Sequence, residues 1–199
     1  MKLNITYQER YSRLELLLRF IFGVFYIALP HAFLLFFLGL WGAILGFIAF
    51  IVILFTGRYP ESMFIYQVQL LRWRLRLNAR LSNLSDGYPA FGLESTDEYT
   101  SLEVSYPERI SRGLTLVRLF FGIFYVSLPH GFILFFRVLW GIILSIYAFI
   151  SVLFTAKFHK GAHTFLVETI RWNYRVLLYM GNMTDVYPPF SGKETANDQ

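Results

Sequence analysis

The chain has 199 residues, 56% of them hydrophobic and 20% aromatic, with a mean hydropathy of +0.49 and a formal charge of +5. It contains no cysteine, which excludes disulfides, thiolate catalysis, iron–sulfur ligation and covalent c-type haem attachment. Walker loops, dinucleotide glycine patterns and zinc-protease motifs are also missing from the sequence. The composition therefore predicts a membrane protein and not an enzyme.

One unit is written twice, at an offset of 99 residues. Arg19 recurs as Arg118, Pro30-His31 as Pro129-His130, Trp41-Gly42 as Trp140-Gly141, Arg72-Trp73 as Arg171-Trp172, and Tyr88-Pro89 as Tyr187-Pro188. The repeats are taken as residues 1–92 and 101–191, joined by an acidic linker at 93–100 and followed by a disordered tail at 192–199.

Each repeat opens on alternating residues, Leu3-Asn4-Ile5-Thr6-Tyr7 and Leu102-Glu103-Val104-Ser105-Tyr106. Alternation with β-branched and aromatic members reads as a short strand. A lone strand is unstable, so 2–7 is expected to pair with 101–106. The alternative is an irregular arm lying on lipid headgroups.

Next come apolar runs from Leu14 to Phe55 and from Leu114 to Phe154. About 20 apolar residues cross the roughly 30 Å of hydrocarbon, so each run is long enough to cross, turn and return. Gly39, Trp41 and Gly42 sit where the turn would fall. The sequence thus predicts an all-α integral membrane protein of two tandem transmembrane hairpins, about four spans. A cleavable signal peptide is not expected from a run of this length. Lys and Arg crowd the open side of both hairpins, which places both termini and the linker in the cytoplasm. The two copies are then parallel repeats about an axis along the membrane normal.

Within the runs, Arg19 and Arg118 are expected to snorkel to the cytoplasmic headgroups. Gly42, Gly46 and Ala49, with Gly141, Ser145 and Ala148, form small-residue positions where the two hairpins would meet. Trp41 and Trp140, with their neighbouring phenylalanines, fit an aromatic belt at the far interface. Arg137 replaces Leu38 and is expected to snorkel to the far surface or to meet an external carboxylate.

After each run an amphipathic helix is predicted. Leu70, Trp73, Leu77, Leu81 and Leu84 make one stripe, and Arg72, Arg76 and Arg80 another at i, i+4, i+8 spacing. The second copy keeps Trp172 beside Arg171 and Arg175. A basic amphipathic helix after a span reads as interfacial, so these residues are assigned to anionic lipids or to a partner subunit. Since the membrane accounts for the basic residues, no nucleic-acid partner is invoked.

Together, Pro-His in the apolar run, Phe-Thr-Gly-Arg-Tyr-Pro after it, Arg-Trp-x-x-Arg, and Asp-x-Tyr-Pro-x-Phe resemble a bacterial membrane family, domain of unknown function 4389. The resemblance covers nearly the whole of both repeats. The second copy departs from it at Ala156-Lys157-Phe158-His159, and the first at Ala90. It implies a small bacterial inner-membrane protein and carries no catalytic residues.

His31 and His130 are the sharpest polar features of the apolar runs. Twelve residues from Arg19 to His31 span about 18 Å of helix, beyond the midplane. Parallel repeats would set the two imidazoles at equal depth across the axis, where a pair could ligate haem b or a metal. The competing reading has each ring donate to a carbonyl freed by its neighbouring proline. This second reading is adopted, with no cofactor. His159 and His163 share a helix face, but two ligands fall short of a zinc site.

The sequence therefore predicts a non-enzymatic accessory or scaffold subunit of a larger bacterial inner-membrane complex. Lipids and other integral subunits are its expected partners. A lipid-handling or small-solute conduit on the seam between repeats is the alternative, and a haem-bearing electron-transfer subunit the third reading.

Overall fold

The computed structural model describes residues 1–194, so most of the expected tail at 192–199 lies outside the described residues. The first repeat comprises β1 (Lys2–Ile5), α1 (Arg13–Gly23), a π-helical turn (Val24–Ala28), α2 (Leu29–Thr56) and α3 (Glu61–Leu81). The second comprises β2 (Thr100–Glu103), α4 (Arg112–Gly122), a π-helical turn (Ile123–Ser127), α5 (Leu128–Thr155) and α6 (Lys160–Met180). Every helix boundary in the second repeat is its counterpart plus 99.

The expected turn at Gly39–Gly42 does not form. The chain stays helical through α1, the π turn and α2, giving a 44-residue long helix from Arg13 to Thr56 and a second from Arg112 to Thr155. Glycine serves close approach here: a Cβ on Gly42 would lie 3.0 Å from Leu70 on α3. The hairpin of each repeat instead joins the long helix to α3 or α6. Its turn is the Phe-Thr-Gly-Arg-Tyr-Pro segment, where Gly57 takes φ +69° and donates its N–H to Ile53 O at 2.7 Å. The left-handed residue after a helix is a standard stop, here Gly57 in one copy and Ala156 in the other. Ser12 and Ser111 start the long helices, each accepting a backbone N–H in the first turn.

The α3 helix runs back antiparallel along its long helix. Tyr66 donates to Leu38 O at 2.8 Å, Trp73 to His31, and Arg19 to Asn83 beyond the end of α3. The two long helices lie antiparallel, start against end. Tyr11 N donates to Ala156 O, and Ile110 N to Gly57 O, each at 2.9 Å. At the centre, Tyr174 of α6 donates to Leu71 O of α3.

The predicted strand pairing is present. β1 and β2 are antiparallel, with Lys2 opposite Glu103 and Ile5 opposite Thr100. Leu3, Ile5 and Leu102 point inward and are buried. They join one apolar cluster with Leu16, Ala49 and Ile53 of the first long helix, Ala148 and Val152 of the second, and Leu71, Leu75, Tyr174 and Leu178 of α3 and α6. The order is therefore long helices, then α3 and α6, then the ribbon and linker.

The repeats exchange their arms. Arg72 of the first donates to Leu102 O of the second at 2.8 Å, and Arg171 of the second donates to Leu3 O of the first at 2.9 Å. Tyr7 reaches Phe158 O and Tyr106 reaches Tyr59 O in the same reciprocal way.

Candidate functional site: a histidine clasp in each repeat

Pro30 has no N–H, so the carbonyl four residues earlier, on Tyr26, loses its helical partner. The π-helical turn occupies this stretch. Tyr88, arriving from the segment after α3, donates its hydroxyl to Tyr26 O at 2.9 Å. In the second copy Tyr187 donates to Tyr125 O at 2.8 Å, four residues before Pro129. The freed carbonyl was expected to take a proton from histidine; a tyrosine supplies it instead.

The histidine does something different. His31 and His130 are fully buried, and each accepts an indole N–H at Nδ1, from Trp73 and Trp172, both at 2.8 Å. Each imidazole stacks on the phenylalanine of the Tyr-Pro-x-Phe motif, Phe91 or Phe190, with centroids 4.0 Å apart and planes 4° apart. In the second copy the proton is thus on Nε2, which lies 3.2 Å from the Tyr187 hydroxyl. Trp172, His130, Tyr187 and Tyr125 O then form a single donor chain.

The same motif carries the other clasp. Asp86 Oδ2 accepts the Ser12 N–H at the start of α1, and Asp86 Oδ1 binds Arg19 at 2.9 Å. Asp185 binds Ser111 N and Arg118 identically. Arg19 also donates to Asn83 and Ser85 O, and Arg118 to Asn182 and Thr184 O. Both guanidinium groups are buried, so they close the loop after α3 onto the long helix instead of snorkelling to headgroups.

Two arginines of the stripe are likewise turned inward, away from the lipid contacts expected for them, while Arg72 stays exposed and donates its Nε to Leu102 O. Arg76 and Arg80 are buried under the linker: Arg76 donates to Gly92 O and Ser95 O, and Arg80 binds Asp97 and Ser85. Arg175 holds Ser191 O and Lys193 O, and Arg171 holds Gly192 O and Glu194. Residues 192–194, read as the start of a disordered tail, are therefore fixed. Trp73 and Trp172 are spent on the histidines and are buried.

Gly42, Gly46 and Gly141 face α3 or α6 of their own repeat. Gln67 of α3 donates to Gly42 O, and positions Gly46 and Gly141 face Gln67 and Leu166. Ser145 donates to Gly141 O within α5. Beside these residues lie two pseudo-equivalent clefts. One is a 440 Å³ space that includes Gly39, Gln67 and Arg74; the other, 380 Å³, includes Arg137, Ser145 and Asn173. Arg137 meets Glu168 and Thr169 of α6 and stacks over Phe165, so its carboxylate partner is internal.

The histidines do not form a pair across the axis; each is enclosed by aromatics of its own repeat. Nδ1 of each is engaged by tryptophan and one face is stacked on phenylalanine, while His31 Nε2 is buried without a hydrogen-bond partner. His163 is buried between Tyr7 and Phe158, while His159 is exposed at the head of α6 and packs on Tyr147. Among the described residues no group of three or more His, Cys, Asp or Glu is placed to hold a metal. Burial pushes His163 down to about 4 and raises Tyr59 to about 12.

Sequence reasoning passed over Asn83 and Asn182, and it noted the motif of Asp86, Asp185, Tyr88 and Tyr187 without assigning partners to their carboxylates and hydroxyls. All are kept in both copies, and that identity was the available signal. A family model described as a domain of unknown function (DUF4389) matches residues 13–92, which is the first repeat from α1 through the clasp. The second repeat has the same elements in the same order. No curated protein and no solved structure matches the chain.

Proposed function

We propose that this chain is a non-enzymatic accessory or scaffold subunit of a larger bacterial cytoplasmic-membrane complex, seated in lipid through its two long helices. The observation that supports the reading is the outward surface of those helices. Phe33, Phe37, Trp41 and Phe47 of the first, and Phe132, Phe136, Trp140 and Ile146 of the second, are all more than half exposed. Only 17% and 11% of their most apolar windows are buried, unlike the core helix of a soluble protein. A monomeric soluble protein rarely exposes apolar patches beyond a few hundred Å².

The polar groups inside the molecule support a structural role. The clasp histidines, the inner arginines and Asp86 are each committed to hydrogen bonds that close the fold. The conduit reading draws no support from His31 and His130, which do not line a common seam.

The test is affinity isolation of the tagged chain from membranes in a mild detergent, followed by mass spectrometry. A stoichiometric integral-membrane partner is expected. A chain that is recovered only as a lone monomer overturns the scaffold reading.

A further inference from the structure

We infer that the two long helices lie in the plane of the membrane, embedded in one leaflet, and do not cross it. The inference rests on the lipid seating proposed above and adds its orientation.

Length is the first argument. A 44-residue helix is about 66 Å long, roughly twice the 30 Å hydrocarbon thickness. Tilting absorbs modest mismatch, not a doubling.

The second argument is what runs beside the helices. α3 lies antiparallel along the long helix from the level of Arg19 to that of Gly42. Any arrangement that stands the long helix upright also carries α3 and its buried arginines through the hydrocarbon.

Charge placement is the third and most selective argument. Exposed cations mark both ends of each long helix, Arg13 and Arg58 in one copy, Arg112 and Lys157 in the other. Another exposed cation sits near the middle. Arg74 has a guanidinium nitrogen 3.2 Å from the Cβ position of Gly39, close to the helix midpoint. Arg137 occupies the corresponding height in the second copy. In a crossing helix, Arg74 would face mid-bilayer hydrocarbon, where an exposed guanidinium is costly. With the helix lying flat, ends and middle share one depth, and Arg13, Arg58, Arg74, Arg112 and Lys157 reach the phosphates of a single leaflet, while Arg137 stays on Glu168. The pseudo-twofold axis then runs along the membrane normal, with the ribbon and linker on the side away from the hydrocarbon.

The chain's lack of cysteine makes the test clean. Phe33→Cys, Leu40→Cys and Phe47→Cys each place a thiol on the same exposed helix face, seven residues apart. Each variant is labelled with an environment-sensitive fluorophore and reconstituted in phosphatidylethanolamine–phosphatidylglycerol vesicles. Nitroxide lipids labelled at different depths then quench the fluorophore. Flat insertion predicts one common depth for all three sites. A single crossing makes the depth step by about 10 Å from site to site, and a transmembrane hairpin sets Leu40 apart from the other two by a similar amount. Unequal depths in a chain that floats with the vesicles overturn the flat orientation alone. Failure to float overturns the lipid seating on which it rests.

Discussion

The corner above each long helix is built from different chemistry in the two repeats. In the first, Arg80 is buried against Asp97 and Ser85, an ion pair under the linker. In the second, the equivalent position is Tyr179. Its ring lies under the Arg118 guanidinium at 4.0 Å, and its hydroxyl meets that of Tyr125 at 3.1 Å. The backbone is the same in both. A charge-bearing corner and an aromatic corner thus satisfy one geometry, but they differ in what breaks them. A buried pair is weak evidence for stability, whereas removing one partner leaves an uncompensated charge.

The largest effect should therefore fall on one side only. Asp97→Leu strands Arg80 and is expected to cost about 3–5 kcal/mol, read from urea unfolding in detergent. The double variant Arg80→Met/Asp97→Leu should recover most of that loss; if it remains as unstable as the single one, the ion pair is not what the corner depends on. Burial alone would raise Asp97, but its hydrogen bonds from Arg80 and Thr100 and the Arg80 charge outweigh it and hold the carboxyl below its ordinary range. The pair's contribution is then complete above about pH 4 and disappears as pH falls through the lower folded value.

A second difference titrates in another window. His163 occupies the place of Phe64: both sit edge-on between two aromatic rings, Tyr7 and Phe158 for one, Tyr106 and Tyr59 for the other. Burial lowers His163 to about 4. Between pH 6.5 and 4 the unfolded chain binds this proton and the folded chain does not, so stability falls as pH drops, by about 3 kcal/mol in all. His163→Phe should flatten that slope while leaving the Asp97 limb intact. A slope unchanged by the substitution would place the acid sensitivity elsewhere.

The clasps can be compared donor by donor. Trp73→Phe and Trp172→Phe each remove the indole N–H from a buried histidine, at about 1–3 kcal/mol. The second should cost more, because Trp172 heads a chain running through His130 and Tyr187 to Tyr125 O. Equal midpoint shifts in thermal unfolding would deny that chain any cooperative weight.

The duplication, the ribbon and the ends of the apolar runs were legible because each is a local pattern: identity at offset 99, alternation, and hydropathy. The continuity of the long helix was not. An apolar run of some forty residues looks like two crossings as soon as a bilayer thickness is assumed, and Gly39 and Gly42 supply a plausible turn. What the glycines answer to is Leu70 and Arg74, on a helix thirty residues away. The arginine stripe misled in the same manner. Arg76 and Arg80 have the spacing of a headgroup-binding face, while the carbonyls and carboxylate that receive them belong to a linker with no pattern of its own. The clasp was half visible. Pro-His and Arg-Trp recur at a separation of 42 residues in both copies, and only the fold shows that they touch.

The smallest predicted difference lies at the hairpin turns. Gly57 and Ala156 both end a long helix in the left-handed region, at φ +69° and +56°, and each donates to the carbonyl four residues back. Glycine enters that region without a Cβ penalty, and alanine does not. Yet a Cβ at position 57 would meet nothing closer than 3.5 Å, so the difference between the copies is conformational and not steric. Ala156→Gly should relieve the strain but loosen the unfolded chain, two terms of opposite sign and similar size. Because the native φ is positive, relief is expected to win by about 1 kcal/mol, and Gly57→Ala should lose about the same. Opposite shifts of the unfolding midpoint in the two variants would confirm that both turns bear the same backbone constraint, whereas two losses would mean that Ala156 is held by packing that Gly57 lacks.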